Sequence, residues 1–344
     1  MRSCLFAWLF VLMLLMGCGM GNRNLSRIAN ATTIFPLYTL GQEYVLIYKD
    51  TDAELALYEV QHGRFIERAS VEAPAVAQKA VFLGDHIIVA YGYGRGKLQD
   101  PIRIVQYDFS LQNPKELLTQ QSERNEVADL IAVPKRNEVF VSFFTSKYMT
   151  SAGWLRPSDG AYTEVIATRL GTQYDIEGDT IVQGRPYGDA LGEDGDVTLL
   201  LGTGSQRLPS FRGVSEVKFA QLDDDPEEEI LIADGWHQNY GQLAEPRVSL
   251  LDKKNGAYTL ETLAILRPQY TISTIHPFMV GQKHYLFVAG NSSADILDLS
   301  NRSVRNLYTS SDLFFNAALV GQRGNTIDVA IKEQKDAWLT SVDL

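Results

Sequence analysis

Seven times between residues 41 and 331, a turn of polar residues or glycine runs directly into a short apolar, β-prone segment. Gly41–Glu43 precedes Tyr44–Tyr48, Gly84-Asp85 precedes His86–Tyr91, and Lys135–Asn137 precedes Glu138–Phe144. Glu177–Asp179 precedes Thr180–Gln183, and Asp225–Glu228 precedes Glu229–Ala233. Gly281–Lys283 then precedes His284–Ala289, and Gly321–Asn325 precedes Thr326–Ile331. The segments recur roughly 42 to 55 residues apart, room for several strands per unit. No stretch after residue 22 carries a helical period to compete with this reading.

Within each unit a third strand follows, then a tight turn and a fourth. Asp159-Gly160-Ala161-Tyr162-Thr163-Glu164 and Asn255-Gly256-Ala257-Tyr258-Thr259-Leu260 are near-copies of that turn. Asp-Gly and Asn-Gly are strong hairpin signals because both residues tolerate positive φ. Units of this length and content predict an all-β chain folded as a seven-bladed β-propeller. Six or eight blades are the alternatives, because the unit from Gly171 to Gly213 is irregular, and a pair of two-sheet sandwiches is the plainer one. The last unit reaches Leu344 after only three strands, so Leu25–Ala31 is expected to supply its fourth and close the ring.

Composition narrows the partners. The chain is 45% hydrophobic and 21% charged, a globular balance, with a net charge of −11. That charge argues against broad binding to nucleic acid, which needs clustered Lys and Arg. The two cysteines are Cys4 and Cys18, so the body has none for a disulfide, a Cys-ligated zinc, an iron–sulfur cluster or a nucleophile.

Met1-Arg2-Ser3, an apolar run from Cys4 to Met16 and the small residues after it have the form of a secretory signal, too short to span a membrane as a helix. Its end, Leu15-Met16-Gly17-Cys18, resembles the bacterial lipobox. The resemblance implies cleavage before Cys18 and acylation of Cys18, by palmitate among other chains. Residues 1–17 would be the signal peptide, 18–23 an acylated tether and 24–344 the propeller. The expected location is exported and membrane-anchored, at the outer membrane in a Gram-negative cell, since no Asp follows the cysteine.

Ala220-Gln221-Leu222-Asp223-Asp224-Asp225-Pro226-Glu227-Glu228-Glu229, followed by an apolar strand, resembles the FG-GAP/VCBS repeat of integrin-α-like propellers. That family wraps a calcium ion in a D-x-D-x-D-G-x-x-D loop between two strands. The resemblance implies Ca²⁺ as a cofactor, with Gln221, Asp223, Asp225 and Glu229 at ligand positions. Gln221 replaces an Asp and Pro226 the glycine. Calcium takes six to eight oxygens, which alternate side chains of a curled loop can provide.

The connections from second to third strands are expected to be long in four consecutive units: Gly92–Asp100, Thr145–Gly153, Gly184–Asp196 and Asp234–Glu245. In a propeller they share a face. They carry Tyr93, Arg95, Tyr148, Arg185, Tyr187, Trp236, His237, Asn239 and Tyr240 as candidate ligand-binding residues. Glycine-supported aromatics among polar groups suit a protein partner or a glycan. The functional expectation is a lipid-anchored envelope propeller serving as a binding or scaffold module. The alternative is a carbohydrate-active enzyme, of polysaccharide lyase or glycosidase type, centred on His237 with Tyr240, Tyr187 and Arg185. The five histidines show no metal-ligand spacing, and no Gly-x-Ser-x-Gly elbow occurs.

Overall fold

The computed structural model describes residues 27–39, 42–92, 100–169, 173–187, 194–202, 204–208, 211, 213–223, 225, 227–235, 245–254, 257–267, 271–312 and 315–344. Strand β1 (Arg27–Ala29) comes first. Blade 1 contains β2 (Thr33–Thr39), β3 (Gln42–Lys49), β4 (Glu54–Gln61) and β5 (Arg64–Glu72). Blade 2 contains β6 (Val76–Leu83), β7 (His86–Gly92), β8 (Ile102–Tyr107) and β9 (Lys115–Gln120). Blade 3 contains β10 (Val127–Val133), β11 (Glu138–Phe144), β12 (Met149–Arg156) and β13 (Ala161–Arg169). Blade 4 contains β14 (Gln173–Glu177), β15 (Thr180–Tyr187), β16 (Asp194–Leu201) and the short β17 (Gly204–Arg207). Blade 5 contains β18 (Glu216–Ala220), β19 (Glu229–Asp234), β20 (Arg247–Lys254) and β21 (Ala257–Ile265). Blade 6 contains β22 (Ile272–Val280), β23 (Lys283–Gly290), β24 (Ser293–Asp298) and β25 (Ser303–Thr309). Blade 7 contains β26 (Asn316–Arg323), β27 (Thr326–Glu333) and β28 (Asp336–Asp343).

Each of blades 1 to 6 is an antiparallel meander, and blade 7 is completed in the order β1-β28-β27-β26. The chain is thus a seven-bladed propeller closed by its own first strand. Among the described residues, closure uses Arg27–Ala29, within the expected Leu25–Ala31, with Arg27 opposite Trp338, Ile28 opposite Ala337 and Ala29 opposite Asp336. Ile28 is buried there, and Arg27 pairs with Asp336.

The seven apolar segments of the sequence are the second strands, β3, β7, β11, β15, β19, β23 and β27. A second strand is covered on both faces by neighbouring blades, so it reads as a continuous apolar run rather than an alternating one. Every residue of β19 and six of the seven in β11 are buried, whereas β17 is exposed throughout. The core is accordingly divided into wedges between blades. In β3, Leu46 packs into the wedge shared with blade 2, while Val45 and Ile47 pack into the one shared with blade 7. The wedge between blades 3 and 4 is small: Phe140, Ala152, Tyr174 and Ile181, with Trp154 edge-on to Phe140 at 5.1 Å.

First strands pack side by side around the axis, and side chains tie several of them to the neighbouring blade. Gln78 Oε1 accepts from the Val127 amide at 2.6 Å, Asp129 Oδ2 from Tyr174 at 3.1 Å and Asp175 Oδ2 from Phe219 at 2.8 Å. Across the closure, Glu43 Oε1 accepts from the Gln322 amide at 2.6 Å. These acceptors satisfy amides on strand edges that face a neighbouring blade instead of a hydrogen-bonding strand.

Candidate functional site

In a four-stranded meander, the second-to-third connections emerge on one face and the first-to-second connections on the other. The four connections expected to be long lie in blades 2 to 5 and leave on the same face. Two are shorter than expected. Thr145–Gly153 shrinks to residues 145–148, because β12 begins at Met149 and pairs Thr150 with Phe144 and Ala152 with Ser142. Gly184–Asp196 shrinks to residues 188–193, because β15 and β16 pair Arg185 with Asp196 and continue to Tyr187 with Asp194. Polar residues at those strand ends resembled loop in the sequence, yet Thr150, Ser151 and Asp196 are buried.

Arg185 is 9% exposed, and its guanidinium engages Asp196, with Nε 3.1 Å from both carboxylate oxygens. Asp196, fully buried, also receives Arg207 Nη2 at 2.8 Å and the Thr198 hydroxyl at 3.1 Å. Gly195 permits this approach, since a Cβ there would stand 2.0 Å from the Arg185 carbonyl oxygen. At the base of the next connection, Arg247 binds buried Asp234 bidentately at 2.7 and 2.8 Å. Tyr148 is half-buried on Phe144, with the Lys147 ammonium 5.0 Å from its ring centre. Tyr93, Arg95, Trp236, His237, Asn239 and Tyr240 lie outside the described residues, as do the side chain of Tyr187 and the N-terminal segment with Cys18.

The acidic loop lies on the opposite face, between β18 and β19. One carboxylate oxygen from each of Asp223, Asp225 and Glu229 falls within 4.8 Å of the others, a cluster that could hold a metal ion. The curl comes from side chains accepting nearby amides: Asp223 Oδ1 from Asp225 N and Asp225 Oδ1 from Glu227 N, both at 2.9 Å. Glu229, buried at the strand start, accepts from Leu222 N at 2.7 Å. Burial, opposed by that amide and reinforced by Asp223 and Asp225, raises its carboxyl above the usual range. Gln221 donates its amide to the carbonyls of Asp223 and Asp225 at 2.6 and 2.7 Å. Those bonds staple the loop and leave Gln221 Oε1 as the amide atom suited to a cation. The donors are all oxygen, which fits a hard cation such as calcium.

A further charged group lies on the first strands around the axis. Lys218 of β18 has its Nζ 3.7 Å from Asp175 of β14 and 3.6 Å from Glu216. Burial lifts Glu216 to about 7, with Lys218 and Lys79 opposing and Asp129 and Asp175 assisting. Burial also lowers Lys218, but Asp175, Glu216 and Asp129 outweigh it and raise the ammonium. His276 of β22 is held down to about 4 by burial and by the Lys218 charge. Glu216 thus responds to charges on β6, β10 and β14 as well as on its own strand, which joins four blades electrostatically. Nothing local in the sequence marked these residues as a group; blade assembly brings them together.

Solved structures share the fold. The β-propeller domain of the Trilobed protease from Pyrococcus furiosus, described as having an open velcro topology, matches with TM-score 0.54 and 12% identity, over 92% of this chain and 96% of that one. The tricorn protease matches with TM-score 0.53 and 12% identity, over 91% of this chain and 31% of that one. Saccharomyces cerevisiae Sqt1 matches with TM-score 0.56 and 9% identity, over 93% and 98%. At such identities the likeness is one of fold. No family model matches the chain, and no curated relative does.

Proposed function

We propose that this propeller is a lipid-anchored binding or scaffold module of the cell envelope. It would present the face carrying the second-to-third connections of blades 2 to 5 to a protein partner or a glycan. The observation behind this reading is topological: the meander order of the blades brings these connections to one side of a closed ring. Leu15-Met16-Gly17-Cys18 supports the anchor, with acylation at Cys18, export and an outer-membrane position in a Gram-negative cell. Calcium at Asp223, Asp225 and Glu229, with Gln221 as a further oxygen ligand, would brace blade 5 on the far face.

The engagement of Arg185 with Asp196 favours binding over carbohydrate cleavage. A substrate could recruit that guanidinium only by stripping a buried carboxylate of a principal partner, at a cost of several kcal/mol. The test is in-cell photo-crosslinking from Tyr148 and Trp236, with Val304 on an outer strand as the control. Defined adducts from the first two positions and none from Val304 are expected; equal labelling at all three would sink the proposal. In the same cells Cys18→Ala should move the protein out of the membrane fraction.

A further inference from the structure

On the face opposite the long connections, blades 4, 5 and 6 surround a cavity of about 360 Å³, within the range of small-ligand pockets. Its walls differ in character. Phe219, Phe278 and Met279 supply an apolar side, and Met279 is 48% exposed. Asp175, Glu177 and Glu228 add three carboxylates to the lining. Glu177 is already paired with Lys135 of blade 3 at 2.5 Å. Asp175 is held by the Phe219 amide and by Lys218. Glu228 also lines the cavity; no described residue forms a hydrogen bond or ion pair with it, and the Lys135 charge reaches it only from its pairing with Glu177.

We propose that this cavity binds an organic cation, an ammonium or guanidinium carried on an apolar stem. The head group would sit against Glu228, in the manner of Lys135 on the neighbouring Glu177. The stem would lie along Phe219, Phe278 and Met279, as long cationic side chains lie on apolar surface with their charge at a polar edge. An inorganic cation would leave that apolar side unused, and an anion would meet three carboxylates. The wall thus selects for stem length and the carboxylates for charge. A free alkylamine and a lysine or arginine side chain of another protein share this chemistry. The site is separate from the long-connection face and stands or falls independently of it.

The test is calorimetric titration of the full chain with n-hexylammonium, with ethylammonium, and with a capped pentapeptide holding one lysine among glycines. Each is run with calcium and with chelator, so that the acidic loop next to Glu228 is controlled. Saturable hexylammonium binding is expected, tighter than ethylammonium. It should weaken about tenfold in Glu228→Gln, as for the loss of one charge-assisted contact, and weaken also in Met279→Ser. Glu261→Gln, a carboxylate on the outer strand of blade 5, controls for net charge and should bind normally. Peptide that competes with hexylammonium identifies a protein side chain as the ligand; binding of the free amine alone identifies a small amine. Absence of saturation by both probes up to about 10 mM overturns the proposal, as does binding indifferent to Glu228→Gln and to stem length.

Discussion

Arg185 and Asp196 face each other across the base of the β15–β16 connection, with the guanidinium Nε 3.1 Å from both carboxylate oxygens. Asp234 and Arg247 repeat the arrangement at the base of the β19–β20 connection with acid and base exchanged between strands. Both pairs cap a hairpin where it leaves the blade, so each loop starts from a fixed footing. Removing one member strands a buried charge. Asp196→Ala is expected to cost about 3 kcal/mol in urea unfolding. The double change Arg185→Met/Asp196→Leu should lose much less, because it leaves neither charge of the direct pair unmatched. Equal losses in single and double variants would refute this account.

The axial charges set opposing pH dependences. Glu216 is raised in the folded chain, so its contribution is full below the unfolded carboxyl range and is lost as pH rises through about 7. His276 is lowered, so its contribution is full above the unfolded imidazole value and is lost as pH falls through about 4. The melting temperature of Glu216→Gln relative to the unaltered chain should rise from pH 5 to pH 8. That of His276→Gln should rise in the other direction, from pH 7 to pH 4. Flat differences in both series would contradict the burial of these groups beside Lys218, Asp175, Asp129 and Lys79.

Calcium should raise the melting temperature, since a ligand bound only by the folded state stabilises it by mass action. Glu229→Gln should remove most of that increment. Gln221→Ala should lower stability even under chelator, because the two bonds from its amide to the loop carbonyls are lost. A calcium response unchanged in Glu229→Gln would exclude this loop as its source.

Ring closure predicts an asymmetry within β1. Ile28→Ala removes a buried side chain from the wedge between blades 7 and 1 and should cost about 2 kcal/mol. Arg27→Ala removes one side of an ion pair whose arginine is 69% exposed, and should cost well under about 1 kcal/mol. Chemical denaturation of both variants checks the ordering.

The fold was legible because second strands are buried on both faces. Runs such as Val139–Phe144 and Ile230–Ala233 have nowhere to go but between two neighbours, and their spacing counts the blades. The turn at Asp159-Gly160 was legible for its backbone requirement, Gly160 taking φ +73°. The site was less so. Thr150 and Ser151 are polar and buried, so composition mistook a strand start for a loop. Arg185 stands between Gly184 and Pro186, which disguised its place opposite Asp196. The contact of Lys218 with Asp175 joins first strands of different blades, and no local pattern encodes which side chains will meet across an interface.

Because the apolar core is divided among the interfaces, no blade owns its interior. Each borrows half of it from either side, and the circle has no terminal unit with a face to spare. A stack of repeats can shed its last member and keep the rest. This ring cannot, since parting at any interface bares two apolar surfaces to water at once. The three residues of β1 are the clasp of that bracelet. Any pull on β1 is borne first by Arg27, Ile28 and Ala29, the outer strand of blade 7, before it reaches the rest of the ring.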